Sequence, residues 1–115
     1  MPPVADLDLL QGTLDVLVLK ALSWGPRHGH GIARLIRDTT SGALDVPDGS
    51  LYVSLHRLEE RGLVDGDWGL SDKGKRARFY KLTAAGRQHL RSEIAAWQRY
   101  AASVTRMLTA AAQPA

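Results

Sequence analysis

The 115 residues suffice for one small domain with an appended element, and 44% hydrophobic with 23% charged residues excludes wholesale disorder. No apolar run approaches the roughly 18 residues of a membrane span, Met1-Pro2-Pro3-Val4-Ala5-Asp6 has neither region of a secretory leader, and zero cysteines exclude disulfides and thiolate chemistry. Residues 1–72 carry 6 Lys/Arg against 11 Asp/Glu and residues 73–115 carry 9 against 1, so the net charge of +3 conceals parts of −5 and +8.

The spacing of Leu7, Leu10, Leu14, Leu17, Val18 and Ala21 predicts a helix from about Asp6 to Trp24, ended by Gly25-Pro26. Gly12 inside it costs about 1 kcal/mol relative to Ala, which suggests close approach of another backbone. After the turn-rich stretch 25–29, Ile32, Leu35, Ile36 and Thr39 share one face of a second helix, which Gly42 stops. A loop with a short extended piece at 44–46 leads to a third helix from Ser50 to Arg61. Ser50 is its expected cap; Leu51, Leu55 and Leu58 face inward, and Tyr52, Val53, His56 and Arg57 face out.

The period then shifts to that of strands, over Leu63–Leu70 and Ala77–Leu82, with the polar loop 71–76 forming a basic hairpin tip. Thr83 can cap a last helix. In it Leu90, Ile94, Trp97, Ala101, Val104, Leu108 and Ala111 alternate steps of four and three, a seam of the coiled-coil kind. Such a seam exceeds what one small domain can cover, and a second copy is the symmetric solution.

The predicted fold is mainly α with a small β-hairpin: a winged helix-turn-helix followed by a long C-terminal dimerisation helix. Residues 1–83 form the DNA-binding unit and 84–115 the dimerisation helix. The third helix is then the recognition helix, entering the major groove of double-stranded DNA. Lys73, Lys75, Arg76, Arg78, Lys81, Arg87 and Arg91 follow one another with no acid among them, and the first four sit at the hairpin, where they can neutralise phosphates. Base discrimination falls to Tyr52, Val53, His56 and Arg57; an Arg can pair with guanine, and Val53 can touch a thymine methyl. Arg57 also has a second available partner, Glu60 on the same helix.

Leu10-Gln11-Gly12-Thr13-Leu14-Asp15, His28-Gly29-His30-Gly31-Ile32, Gly49-Ser50-Leu51-Tyr52, Leu55-His56-Arg57-Leu58-Glu59 and Arg76-Ala77-Arg78-Phe79-Tyr80-Lys81-Leu82-Thr83 resemble the PadR family of transcriptional regulators, nearest the short, single-C-terminal-helix, acidobacterial-type members. The resemblance implies a dimeric DNA-binding repressor. Its first and last helices interlock between chains through Leu10, Leu14, Leu90, Ile94, Trp97, Ala101, Val104 and Leu108. It places DNA contacts on Ser50, Tyr52, His56, Arg57, Lys73, Lys75, Arg76 and Arg78. Val53 stands where the family commonly has proline, and Asp72-Lys73-Gly74-Lys75 replaces a more Asn-like wing tip, so the family's operator preference is not carried over. Some PadR-like sensors stack planar compounds on a tryptophan of the last helix; by that likeness Trp97, with Tyr100 and Val104, lines an effector pocket. The heptad position alone reads Trp97 as seam packing.

Other functions lack residues. His28 and His30 have no third metal ligand at a suitable spacing. Gly29-x-Gly31 is too short for a dinucleotide loop, and no nucleophile elbow occurs. The sequence therefore predicts neither enzyme, cofactor nor metal site. The seam leaves no free Phe- and Trp-rich face for a membrane, and the chain is expected in the cytoplasm. The alternative from another class is a dimeric winged-helix protein-interaction module that docks an acidic protein.

Overall fold

The computed structural model describes residues 7–114, with side chains from residue 12 onward. Its elements run α1 (Leu7–Leu22), β1 (Arg27–His28), α2 (Gly29–Thr39), α3 (Asp48–Glu60), β2 (Val64–Leu70), β3 (Arg76–Leu82) and α4 (Ala84–Leu108). The three strands form an antiparallel sheet in the order β1-β3-β2.

One core serves all four helices. Leu14, Val18, Leu19, Ala21 and Leu22 of α1 meet Ile32 and Ile36 of α2, Leu51, Leu55 and Leu58 of α3, and Leu90 of α4. Val64, Tyr80 and Leu82 close it from the sheet. The α1 stripe is wider than its predicted spacing, because Leu19 and Leu22 are buried as well. Helix α1 stops two residues early, in a turn that reaches Gly25 at φ +136°, a conformation suited to glycine. A Cβ on Gly12 would meet nothing within 4 Å, so the backbone expected beside it does not come from this chain's described residues.

The sheet has one strand more than the predicted hairpin. Arg27 and His28, read as part of a turn, pair with Tyr80 and Phe79. Two residues are too few to show alternation. His28 then caps α2, its Nδ1 accepting from the Gly31 N–H at 3.1 Å. Leu44 and Val46, expected in an extended piece, lie in irregular chain and pack against the core. A second correction concerns Ser50. Helix α3 begins at Asp48, with Pro47 as N-cap and no side-chain cap bond. Proline's fixed φ and missing N–H suit a helix start, and Ser50 falls inside the first turn.

The hairpin pairs from Val64↔Leu82 out to Leu70↔Arg76. Gly74 turns it at φ +73°. At its base the Thr83 N–H donates to the Leu63 carbonyl at 3.2 Å. The Thr83 hydroxyl donates to Gly62 O at 2.7 Å and accepts from the Gly86 N–H at 2.9 Å, capping α4. With 25 residues, α4 is about 37 Å long. Leu90 is buried and Ile94 packs on the core, but Trp97, Val104 and Leu108 are 45%, 38% and 78% exposed. The helix ends at Leu108, so Ala111 lies outside it and the seam is shorter than the spacing suggested.

Gly86 sits where a Cβ would land on the Leu63 carbonyl oxygen. Gly86→Ala should therefore cost about 3 kcal/mol and lower the melting temperature by roughly 10 °C or more. An unchanged melting curve would show that the junction can open without loss.

Candidate nucleic-acid interface

Helix α3 has two unlike faces. Leu51, Ser54, Leu55 and Leu58 are buried, while Tyr52 and Val53 are 50% and 61% exposed. The sequence-predicted residues divide by what holds them. Tyr52 lies across the start of α2: a Cβ on Gly29 would come within 3.0 Å of its hydroxyl. Its ring thus braces the two helices while one edge stays open. His56 projects outward, with Nε2 3.0 Å from Glu60 Oε1. Ser50 is half-buried in the first turn, and Val53 makes an apolar spot on the open face.

Arg57 is not paired with Glu60. Its Nε donates to Asp15 Oδ2 at 3.0 Å and its Nη2 to Oδ1 at 2.6 Å. The buried Ser54 hydroxyl donates to the same carboxylate at 2.6 Å. Asp15 of α1 is thus tied to α3 by three hydrogen bonds. Burial alone would raise its pKa. The hydrogen bonds from Arg57 and Ser54 and the Arg57 charge outweigh burial and hold the carboxyl below the ordinary 3.8. The Asp15 hydrogen bond and charge move Arg57 the opposite way, upward.

The wing divides in the same manner. Arg78 turns back onto α3, with Nη2 2.5 Å from Glu59 Oε2 and its guanidinium 5.7 Å from the Tyr80 ring centre. Gly66 makes the room: a Cβ there would lie 2.5 Å from Arg78 Nε. Burial raises the Tyr80 hydroxyl's pKa. Arg76 lies 4.7 Å over the Trp68 ring, a cation–π contact that fixes its guanidinium. Lys73 and Lys75 are exposed at the tip. No carboxylate among the described residues forms an ion pair with Lys73, Lys75 or Arg76. The predicted set therefore comprises cations at the wing tip that remain open to a partner and two arginines, 57 and 78, that also hold the fold.

The residues predicted for the seam and the effector pocket lie on one helix but not in one environment. Trp97 and Tyr100 stand with ring centres 5.8 Å apart, tilted by 35°. Tyr100 is 59% exposed and Ala101 half-buried. Leu14 is in the core, and Leu10 falls outside the residues whose side chains are described. Sequence reasoning missed Asp15, Ser54, Glu59 and Trp68. A serine on a face otherwise made of leucines was the one signal for a buried polar link.

Asp15 gives a pH test. Its folded-state pKa is lowered, so the unfolded chain binds the proton first as acid is added. Its stabilisation is full above 3.8 and is lost as pH falls through the folded-state value. In urea, Asp15→Asn should cost about 1–3 kcal/mol near neutrality. That gap to the wild type should close in acid; a gap that ignores pH would rule out the carboxylate's charge as its source.

A family model described as the transcriptional regulator PadR-like family matches residues 18–92. A transcriptional regulator from Clostridium thermocellum superposes with a TM-score of 0.79 at 23% identity, covering 90% of this chain and 97% of that one, which shows the fold. A PadR family transcriptional regulator from Eggerthella lenta gives 0.75 at 29% identity, covering 90% and 88%. An uncharacterized protein from Lysinibacillus sphaericus is 29% identical over 91 residues, 78% of this chain and 83% of that one. Among the described residues no helix is long and apolar enough to cross a membrane. With its winged helix and a family match over most of its length, the chain belongs to the PadR-like transcriptional regulators, DNA-binding proteins and not enzymes.

Proposed function

We propose that the chain is a sequence-specific repressor that binds a palindromic operator as a homodimer. The observation that carries this reading is the wing. Arg78 and Glu59 pin the hairpin against α3, and Lys73, Lys75 and Arg76 are left at its tip with no ion pair among the described residues. Phosphate neutralisation there would set α3 in register over a major groove, where Ser50, Tyr52, Val53, His56 and Arg57 meet base edges or backbone.

Dimerisation is supported by α4 and α1 together. Trp97, Val104 and Leu108 are apolar and uncovered, and nothing among the described residues packs beside Gly12 on α1. A partner's helices would cover both. The division at residues 83 and 84 is one of role. Residues up to 83 read DNA and the helix after them pairs chains, although Leu90 of α4 belongs to the shared core. Two-fold symmetry then places the recognition helices on half-sites one helical turn or a multiple apart, about 34–36 Å per turn. A cytoplasmic location goes with action on DNA.

A duplex with two inverted half-sites should bind two chains. Against it, Lys75→Ala with Arg76→Ala should weaken binding to every sequence. The slope of log affinity against log salt should fall by roughly 0.9 for each phosphate no longer neutralised. An unchanged slope would remove the wing from the interface, and binding of a single chain would remove the dimer.

The tilted Trp97–Tyr100 pair, with Val104 one turn on, supports an effector site for planar aromatic compounds at the dimer seam. Such a compound should quench tryptophan fluorescence and release the operator, and Trp97→Phe should abolish both. Trp24 and Trp68, each more than half exposed, supply a constant background. Quenching that survives the substitution would place the compound elsewhere.

A further inference from the structure

We propose that Asp15 is a positioning residue for Arg57 in reading DNA: it grips one edge of the guanidinium and leaves the other to pair with guanine. The inference rests on the DNA-recognition reading above and extends it to a residue of α1, outside the helix-turn-helix and the wing.

The geometry is specific. A guanidinium has two edges that can make paired hydrogen bonds. Asp15 occupies the side edge, Nε and one hydrogen of Nη2. The end edge, Nη1 and the second Nη2 hydrogen, makes no hydrogen bond among the described residues. That edge has the spacing for guanine O6 and N7. Arg57 is 45% exposed and Asp15 only 21%, so the pair has an inner anchor and an outer reader. Ser54, fully buried, fixes the anchor's orientation from below.

The carboxylate changes what the arginine is good for. A lone arginine on α3 would be drawn to any phosphate. Paired with Asp15 it carries little net charge, so it contributes little to sequence-independent attraction while keeping directional donors. Its rotamer is also set before DNA arrives, which removes an ordering cost from binding. Holding α1 to α3 does not by itself explain this arrangement, because the fold gains nothing from leaving the end edge of Arg57 open among the described residues.

The test is selection of bound sequences from a random duplex library by the full chain, with salt dependence measured on the winning site. Wild type should enrich a site with a guanine at a fixed position in each half. Asp15→Asn and Arg57→Lys should each lose roughly tenfold or more in preference at that same base pair, and the double variant should lose no more than either alone. Asp15→Asn should also bind unrelated duplexes as well as wild type or better, because a negative charge has gone. A purely structural Asp15 predicts the opposite: uniform weakening on all sequences with the guanine preference intact, and that result overturns the proposal. Should Asp15→Asn fail to fold, Arg57→Lys and Ser54→Ala carry the same comparison. A wild-type chain that enriches no sequence overturns the DNA reading and this inference with it; one that enriches a site indifferent to Asp15 and Arg57 overturns this inference alone.

Discussion

Four residues at the base of the hairpin determine where everything functional points. Gly62 ends the approach from α3 in a left-handed turn at φ +73°. Leu63 gives its carbonyl to the Thr83 N–H. Thr83 bonds back to Gly62 and caps α4, and Gly86 passes so near Leu63 that no side chain fits between them. The exit of the recognition helix, both strands of the wing and the start of the long helix are locked at one point. A rotation there would swing α4 and tilt the wing together. The close approach of Gly86 to the Leu63 carbonyl is a backbone contact, which has no rotamer through which to relax.

The second organising fact is how cations are allotted. From the sequence alone, Arg57 on α3 is a candidate for base contact and Lys73, Lys75, Arg76 and Arg78 on the wing are candidates for phosphate contact. Two of them, Arg57 and Arg78, are turned onto carboxylates of other elements. Each tie crosses between elements: α1 to α3, and α3 to β3. The other three sit at or beside the hairpin tip without such partners among the described residues. Positive charge is thereby concentrated at the end of a lever, while the base of the lever is nearly neutral. A polyanion approaching this surface is attracted most strongly at the tip, where the Trp68 ring holds the Arg76 guanidinium.

The fold is readable wherever it depends on a period. Apolar spacing locates α1 to α4 within a few residues and both hairpin strands within one, because burial imposes 3.6- and 2-residue repeats on the chain. Strand β1 is not readable: two residues have no period, and Arg27 and His28 become a strand only because β3 has an edge to pair with. The cap of α3 is misread for a related reason. Both Pro47 and Ser50 favour a helix start, and the extended Pro47 at φ −62° and ψ 143° decides it three residues earlier. The site is half legible. Lys73, Lys75 and Arg76 announce themselves by composition. The partners of Arg57 and Arg78 stand 42 and 19 positions away, and no local pattern links a carboxylate on α1 to a guanidinium on α3.

That long-range link gives α1 a double position. Among the described residues its buried side supplies five side chains to the core, and Asp15 reaches α3 from the same helix. Helix α4 packs against α1 through that core before running beyond it. A displacement of α4 would therefore reach α1 through packed side chains, and α3 through hydrogen bonds whose lengths leave little slack. Core packing tolerates sliding of a few tenths of an ångström, but a two-pronged carboxylate–guanidinium pair is sensitive to angle as well as distance. The Asp15 grip between α1 and α3 is thus a place where a small rotation of α1 changes which hydrogen-bond donors α3 presents.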